Sequence, residues 1–174
     1  MFRELNIMRI FFDSPSKEFN VREAARILKI APATASKDLK NLVKQGLLKG
    51  RKERILNLYK ANIENGLYRD LKVFYNIRKI KDSMLLDSLN RYYLKPAIVL
   101  FGSASYGIDT ETSDFDLLVV SEKKKEFPET EKFEKKLKRK LQLFAVQEIK
   151  DLNNEHLINN VLNGIVLQGE IKWT

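Results

Sequence analysis

Cysteine is missing from the 174 residues, which excludes a disulfide framework and any thiolate metal site. Histidine occurs once, as His156, in an Asn-rich stretch where a surface position is the better reading than a catalytic one. Long apolar runs are lacking too. The longest, Ala97 to Phe101, is far too short to cross a bilayer. The first residues alternate charge with apolar side chains (Phe2, Arg3, Glu4, Leu5) and lack the profile of a secretory signal. These absences point to a soluble, cytoplasmic protein with no membrane partner.

What is present is enough to fold. Hydrophobic residues make up 44% of the chain, sufficient for real cores, and its length fits one ordinary domain or two small ones sharing a helical junction. The net charge of +9 is spread unevenly. Residues 1–65 hold 14 Lys/Arg against 7 Asp/Glu, whereas residues 66–174 hold 18 against 16. A basic front half suggests that this end meets a polyanion. General solubility charge would not explain the asymmetry.

Phe2, Leu5, Ile7, Met8, Ile10, Phe11 and Phe12 predict an apolar helix ended by Ser14-Pro15. Glu18–Asn20 can form a short strand. Asn20 can cap a second helix, with Glu23 at the reach-back position, and that helix is expected to bury Val21, Ala24, Ala25, Ile27 and Leu28. Pro32 suits the first turn of a third helix, which would bury Ala35, Leu39, Leu42 and Val43 and stop at Gly46. Its outer positions are Thr34, Ser36, Lys37, Lys40, Asn41 and Lys44. Short hydroxyl side chains can approach base edges, and ammonium groups can meet phosphates. Two strands, around residues 47–49 and 55–59, flank the basic stretch Gly50-Arg51-Lys52-Glu53-Arg54.

This order of helices and hairpin resembles the winged helix-turn-helix domains of bacterial and archaeal regulators. The resemblance implies double-stranded DNA as a partner, contacted by Thr34, Ser36, Lys37, Lys40 and Lys44 on the helix and Arg51, Lys52 and Arg54 on the wing. A homodimer reading paired half-sites is compatible with it, and so is a winged helix used only for packing. Between residues 63 and 95, Leu67, Leu71, Phe74 and Ile77, then Leu85, Leu89 and Tyr92, recur at helical spacing, with a break at Asp82-Ser83. This segment is expected to be a helical linker.

The chemistry concentrates beyond Pro96. Ala97–Phe101 reads as a buried strand that runs into Gly102-Ser103, and after ten residues a second strand opens with Asp114-Phe115-Asp116. Side chains of a strand alternate faces, so Asp114 and Asp116 should project together while Phe115, Leu117 and Val119 fill the other side. Neighbouring carboxylates repel unless a cation sits between them. Mg²⁺ suits them, because it takes hard oxygen ligands and leaves positions for phosphate and water. Gly102 allows close backbone approach, the amides and the Ser103 hydroxyl can hold phosphate oxygens, and Gly107 lets the loop fold back.

Phe101-Gly102-Ser103, a ten-residue gap and Asp114-Phe115-Asp116-Leu117 together resemble the signature of the DNA polymerase β nucleotidyltransferase superfamily. The minimal nucleotidyltransferases, including archaeal forms with a fused helix-turn-helix, are the branch most similar, over about residues 95–170. The resemblance implies that Gly102 and Ser103 hold the phosphates of a nucleoside triphosphate (ATP being the default), and that Asp114 and Asp116 bind Mg²⁺. An acceptor hydroxyl on protein, RNA or a small molecule would then take the nucleotide monophosphate. It also implies an antitoxin-like role, in which a partner nuclease is modified.

Active members of that superfamily usually carry a third carboxylate on a later strand. Here that strand should be Leu141–Val146, after a helix over Glu129–Arg139, and Gln142 stands where the acid is expected. Residues 104–106 also lack the basic residue many relatives carry there. The runs Lys123–Lys125 and Lys132–Lys140 could guide a polyanionic acceptor, but a solvated face is the better reading. The fold class expected is α+β: a winged helix over residues 1–62, a helical linker over 63–95, and a small mixed-sheet nucleotidyltransferase domain over 96–174. The alternative function is a DNA-binding transcriptional regulator whose second domain binds nucleotide without turnover.

Overall fold

A computed structural model describes residues 2–123 and 125–171, with side chains from Leu5 onward. The Phe2 side chain expected in the first helix, Lys124 and the terminal Trp173-Thr174 lie outside the described residues. The chain divides into two compact units, residues 1–75 and 76–174. Residues 63–95, expected as a separate linker, are shared out between these two units. No described helix is long and apolar enough to cross a membrane.

The first unit opens with α1 (Phe2–Asp13) and the two-residue strand β1 (Phe19–Asn20). α2 (Val21–Leu28) begins with a full capping box. The Glu23 amide donates to Asn20 Oδ1 and the Asn20 amide donates to Glu23 Oε2, both at 3.0 Å, so two of the orphan donors at the helix start are satisfied. α2 buries Ala24, Ala25 and Leu28. Ile27, expected inside, is exposed instead. Only one face of an eight-residue helix meets the core, and Ile27 falls off the row set by Ala24 and Leu28.

α3 (Pro32–Lys44) starts with proline in its first turn and buries Ala35, Leu39 and Leu42. Strands β2 (Leu48–Glu53) and β3 (Leu56–Ala61) follow as an antiparallel hairpin, with β1 added on the β3 side in the order β1-β3-β2. The hairpin strands run further than the sequence suggests. The basic residues Arg51 and Lys52 lie within β2, and the turn is only Arg54-Ile55, with Arg54 at φ 52°. Gly50 brings the hairpin against α3, since a Cβ there would sit 3.3 Å from a Val43 methyl. The core joins Phe11, Phe19, Leu39, Leu42, Leu48, Tyr59 and Tyr68. Phe11 and Phe19 meet edge to face at 5.4 Å.

α4 (Gly66–Asp82) carries the division between the units, and α5 (Leu85–Tyr93) follows the expected break at Asp82-Ser83. The row that α4 buries is Tyr68, Lys72, Asn76 and Ile80, while Leu67 and Phe74 of the expected apolar stripe are about half exposed. Hydropathy picks out the wrong row because the buried one bears polar groups with partners: the Tyr68 hydroxyl donates to the Phe11 carbonyl at 3.0 Å.

In the second unit, β4 (Ala97–Phe101), β5 (Phe115–Val120), β6 (Leu141–Val146) and β7 (Ile165–Gln168) form one mixed sheet in the order β6-β5-β4-β7. β5 is antiparallel to β4 and parallel to β6, a pairing that needs the crossover through α6 (Thr130–Leu137). Alternation sorts the side chains. Phe115, Leu117, Val119, Ile98 and Leu100 pack with Leu85, Leu89, Phe133 and Leu137. Val99, Phe101, Leu118 and Val146 pack with Ile149 and with Val161 of α7 (Glu155–Leu162) on the other side. The fold is therefore α+β, with two small sheets.

Candidate functional site

β4 delivers the chain to a short 3-10 turn, Gly102–Ser105, at one end of the sheet. Gly102 has φ 68°, and a Cβ built on it would overlap Asp116 Oδ2. The position therefore demands glycine twice, once for its backbone conformation and once for the carboxylate pressed against it. The turn is closed by the Ser105 hydroxyl donating to the Gly102 carbonyl at 2.7 Å. Gly107, at φ 66°, folds the chain back so that the Ile108 amide donates to the Ser103 carbonyl at 3.2 Å. The structure thus brings Gly102, Ser103 and Gly107 together in one turn.

Asp116 is the second residue of β5, paired with Phe101 on one side and with Gln142 on the other. It is partly buried, and Asp114 is exposed. Asp114 stands one residue before β5 rather than inside it, because the ladder begins with the Phe115 amide donating to the Lys140 carbonyl at 2.9 Å. Burial first, and the charge of Asp114 second, push the Asp116 carboxyl above its ordinary range. Asp114 thus acts on Asp116 from just ahead of the strand and not from within it, where the spacing places it. Among the described residues there is no group of three or more His, Cys, Asp or Glu side chains able to hold a metal. Gln142, exposed on the strand beside Asp116, leaves the pair as two carboxylates with a neutral amide as neighbour.

Sequence reasoning missed a set of residues behind this site. Arg139, read as part of a solvated face, has a side chain only 7% exposed and forms an ion pair with the fully buried Asp109 at 2.6 Å. Asp109 also accepts from Asn76 Nδ2 at 2.9 Å. The one legible hint was an acid inside a gap otherwise treated as a spacer.

In the first unit, Thr34, Ser36, Lys37, Lys40 and Lys44 all lie on α3, and Arg51 and Lys52 lie on β2 with Arg54 in the hairpin turn. Lys40, Lys44, Arg51 and Lys52 line one groove of about 390 Å³ between α3 and the hairpin. Arg51 is not like the other cations. Its Nε and Nη2 donate to the two Glu18 carboxylate oxygens at 2.7 and 2.6 Å, and Nη2 also meets Glu53 at 2.7 Å. That fork lowers the Glu18 carboxyl below its ordinary range.

A mixed sheet in which one strand ends in a tight glycine turn, and the antiparallel neighbour sets Asp116 against that glycine with Asp114 just ahead of the strand, has the architecture of a nucleotidyltransferase domain. Residues 77–168 match the family model described as "Nucleotidyltransferase domain", just over half of the chain, and the protein belongs to that family. Among solved structures, a possible transcriptional regulator from Methanosarcina mazei Go1 is similar over 53% of this chain and 75% of its own, at 21% identity and a TM-score of 0.37. No curated protein matches the chain.

The Gly102 contact gives a direct expectation. Gly102→Ala should cost about 1–2 kcal/mol for the left-handed conformation alone, and more for the displaced Asp116. Urea unfolding of the full chain measures it. An unchanged midpoint would show that the turn can relax away from the carboxylate.

Proposed function

We propose that the second unit binds a Mg²⁺–nucleoside triphosphate, ATP by default, and transfers the nucleotide monophosphate to an acceptor hydroxyl on a protein, RNA or small molecule, the hydroxyl oxygen bonding to the α-phosphorus as the α–β bridge breaks and pyrophosphate leaves. The observation that carries this reading is the Asp116 carboxylate pressed against Gly102, with Asp114 close enough to raise its proton affinity. A phosphate-holding turn and a pair of hard oxygen donors thereby share one end of the sheet. The donor set fits Mg²⁺, which needs few protein oxygens and takes the rest of its shell from water and phosphate.

In this reading Asp114 and Asp116 hold the ion, and the amides and hydroxyl of the Gly102–Ser105 turn orient the phosphates. The bound ion would neutralise phosphate charge and acidify the attacking hydroxyl. Phe115 and Leu117, locked in the core on the opposite side of β5, fix the direction in which Asp116 projects. Radiolabelled nucleoside triphosphates incubated with Mg²⁺ and cell extract test the activity. Transfer to a discrete acceptor by the wild type, lost in Asp114→Asn, is expected. Equal labelling with both proteins would refute it.

A second reading is favoured by one observation, the Gln142 amide beside Asp116. An amide ligates weakly and cannot accept a proton at neutral pH. On that reading the protein is a DNA-binding transcriptional regulator whose second unit binds nucleotide without turnover.

Under both readings we propose that the first unit is a winged helix-turn-helix that binds double-stranded DNA, with α3 as recognition helix and the β2–β3 hairpin as wing. The groove lined by Lys40, Lys44 and Lys52, and the placement of Thr34 and Ser36 at the start of α3, support this. Each phosphate contact removed should reduce the slope of log affinity against log salt by about 0.9. Lys40→Ala combined with Lys44→Ala is expected to reduce it by about twice that. Arg51→Ala should change affinity less than Arg54→Ala, because Glu18 and Glu53 already engage the Arg51 guanidinium. Fluorescence anisotropy across a salt series measures both. Equal losses for the two arginine variants would show that Arg51 leaves its carboxylates for phosphate.

A further inference from the structure

We propose that Arg139 and Asp109 are positioning residues for the carboxylate pair, clamping the segment before β5 so that Asp114 is presented to Asp116; this deepens, and rests on, the reading of that pair as a metal–nucleotide site. Between the turn at Gly102–Ser105 and Phe115 the chain has no helix or strand. Asp114 is thus outside the β ladder, and something else must fix it. A single guanidinium does so. Arg139 Nε donates to the Ser113 carbonyl at 2.9 Å, Nη1 to Asp109 Oδ2 at 2.6 Å, and Nη2 to the Thr110 carbonyl. Its carbon centre lies 4.6 Å from the centroid of the Phe115 ring.

Asp114 is therefore bracketed. The carbonyl of the residue before it and the ring of the residue after it are both held by Arg139. Asp109 carries the grip further. Through Asn76 Nδ2, which donates to Asp109 Oδ1 at 2.9 Å and to the Ala104 carbonyl at 3.1 Å, it ties the segment to the turn beside Gly102. One buried network thus connects both halves of the candidate site.

The chemistry of the residue types fits this task. Burying an ion pair gives up hydration that only well-made hydrogen bonds recover. An apolar pair would pack as well but would not select one loop conformation. Lysine, a point donor, could not reach three oxygens while also sitting over the Phe115 ring. The aim of the side chain is set locally. Lys138, at φ 55°, ends α6 in a left-handed turn, and the Lys138 and Arg139 amides both return to the Glu134 carbonyl.

The test uses the full chain in four forms: wild type, Arg139→Lys, Arg139→Ala, and the double variant Asp109→Asn with Arg139→Gln. The double variant removes both charges, so it guards against a single variant that fails to fold. Backbone amide exchange at Thr110, Ser113 and Asp114 reports the segment without any ligand, and Mn²⁺–ATP titration followed by electron paramagnetic resonance reports the site. In Arg139→Ala, faster exchange at those amides and about 10- to 100-fold weaker Mn²⁺–ATP binding are expected, in line with residues that orient metal ligands. Arg139 lines a groove of about 640 Å³, so guanidinium chloride well below denaturing concentration should re-enter and restore part of the affinity. Arg139→Lys should remain impaired.

Unchanged exchange in a folded Arg139→Ala or double variant overturns the clamp. So does an affinity loss that guanidinium leaves unrecovered, which marks a merely structural residue. Wild type that takes up no Mn²⁺–ATP refutes the metal–nucleotide reading instead, and the clamp is then decided by amide exchange alone.

Discussion

Asp116→Asn is expected to weaken Mg²⁺-dependent nucleotide uptake by more than about 100-fold, beyond the loss typical of residues that only orient metal ligands, and at the same time to raise the melting temperature of the metal-free protein. Both effects have one cause. Burial and the Asp114 charge hold the Asp116 carboxyl above its ordinary range, so in the folded state its charged form is disfavoured relative to the unfolded chain. The folded protein then binds the Asp116 proton more tightly than the unfolded one. This group's contribution to stability is accordingly fully present below the ordinary aspartate range and is lost as pH rises from there through the raised value.

Mg²⁺ reverses the direction, because it binds only the carboxylate form. Uptake should strengthen with pH over the interval beginning at about 4, the ordinary aspartate range, and extending upward. Glu18, Glu129 and Glu134, held below their ordinary range by Arg51, Ser88 and the Leu141 amide respectively, behave oppositely and lose stability in acid. The informative quantity is therefore the difference between Asp116→Asn and wild type in thermal melts across pH, with and without Mg²⁺. A variant that melts below wild type in chelator at neutral pH would show that the carboxylate is stabilising by itself, and the cation would be unnecessary.

Gln142→Asp is expected to raise Mg²⁺ affinity and to increase nucleotide transfer by about 10²- to 10⁴-fold, the range that a positioned general base supplies. Gln142 is the parallel-strand partner of Asp116, so its side chain leaves the sheet on the same face. The substitution would place a third hard, proton-accepting group where an amide now offers one neutral oxygen. It should also lower the metal-free melting temperature, because three carboxylates at one sheet end repel, and Mg²⁺ should restore it. Gln142→Ala is the control that removes the amide without adding charge. If Gln142→Asp changes neither metal affinity nor transfer, position 142 does not face the ion, and the absence of a third acid there does not limit the reaction. The result also separates the two functional readings. Wild-type turnover that Gln142→Asp only improves belongs to an enzyme, whereas turnover that appears only in the variant belongs to a binding module.

Some elements were legible residue by residue. The strands 97–101 and 141–146 match their expected bounds, because each is an apolar run flanked by turn-forming or charged residues. The Asn20/Glu23 capping box and the proline start of α3 were readable because local hydrogen bonding and a fixed φ decide them. Proximity of Asp114 and Asp116 followed from their spacing, although Asp114 proved to lie outside the strand.

What was not legible depends on partners distant in sequence. Arg139 and Asp109 are thirty residues apart and each looks like surface charge until the fold brings them together. The buried row of α4 contains Lys72 and Asn76, which no hydropathy period would choose. The reach of the hairpin depended on a non-glycine residue, Arg54, adopting a left-handed turn. Ile27 is exposed because the width of a core face belongs to its neighbours and cannot be read from the helix itself.

The most direct measurement is isothermal titration of the full chain with ATP in Mg²⁺ and, separately, in EDTA, for wild type and for Asp114→Asn combined with Asp116→Asn. Saturable uptake by wild type in Mg²⁺, absent in EDTA and absent in the double variant, is the expected result. Uptake that ignores the metal, or that survives loss of both carboxylates, would contradict it.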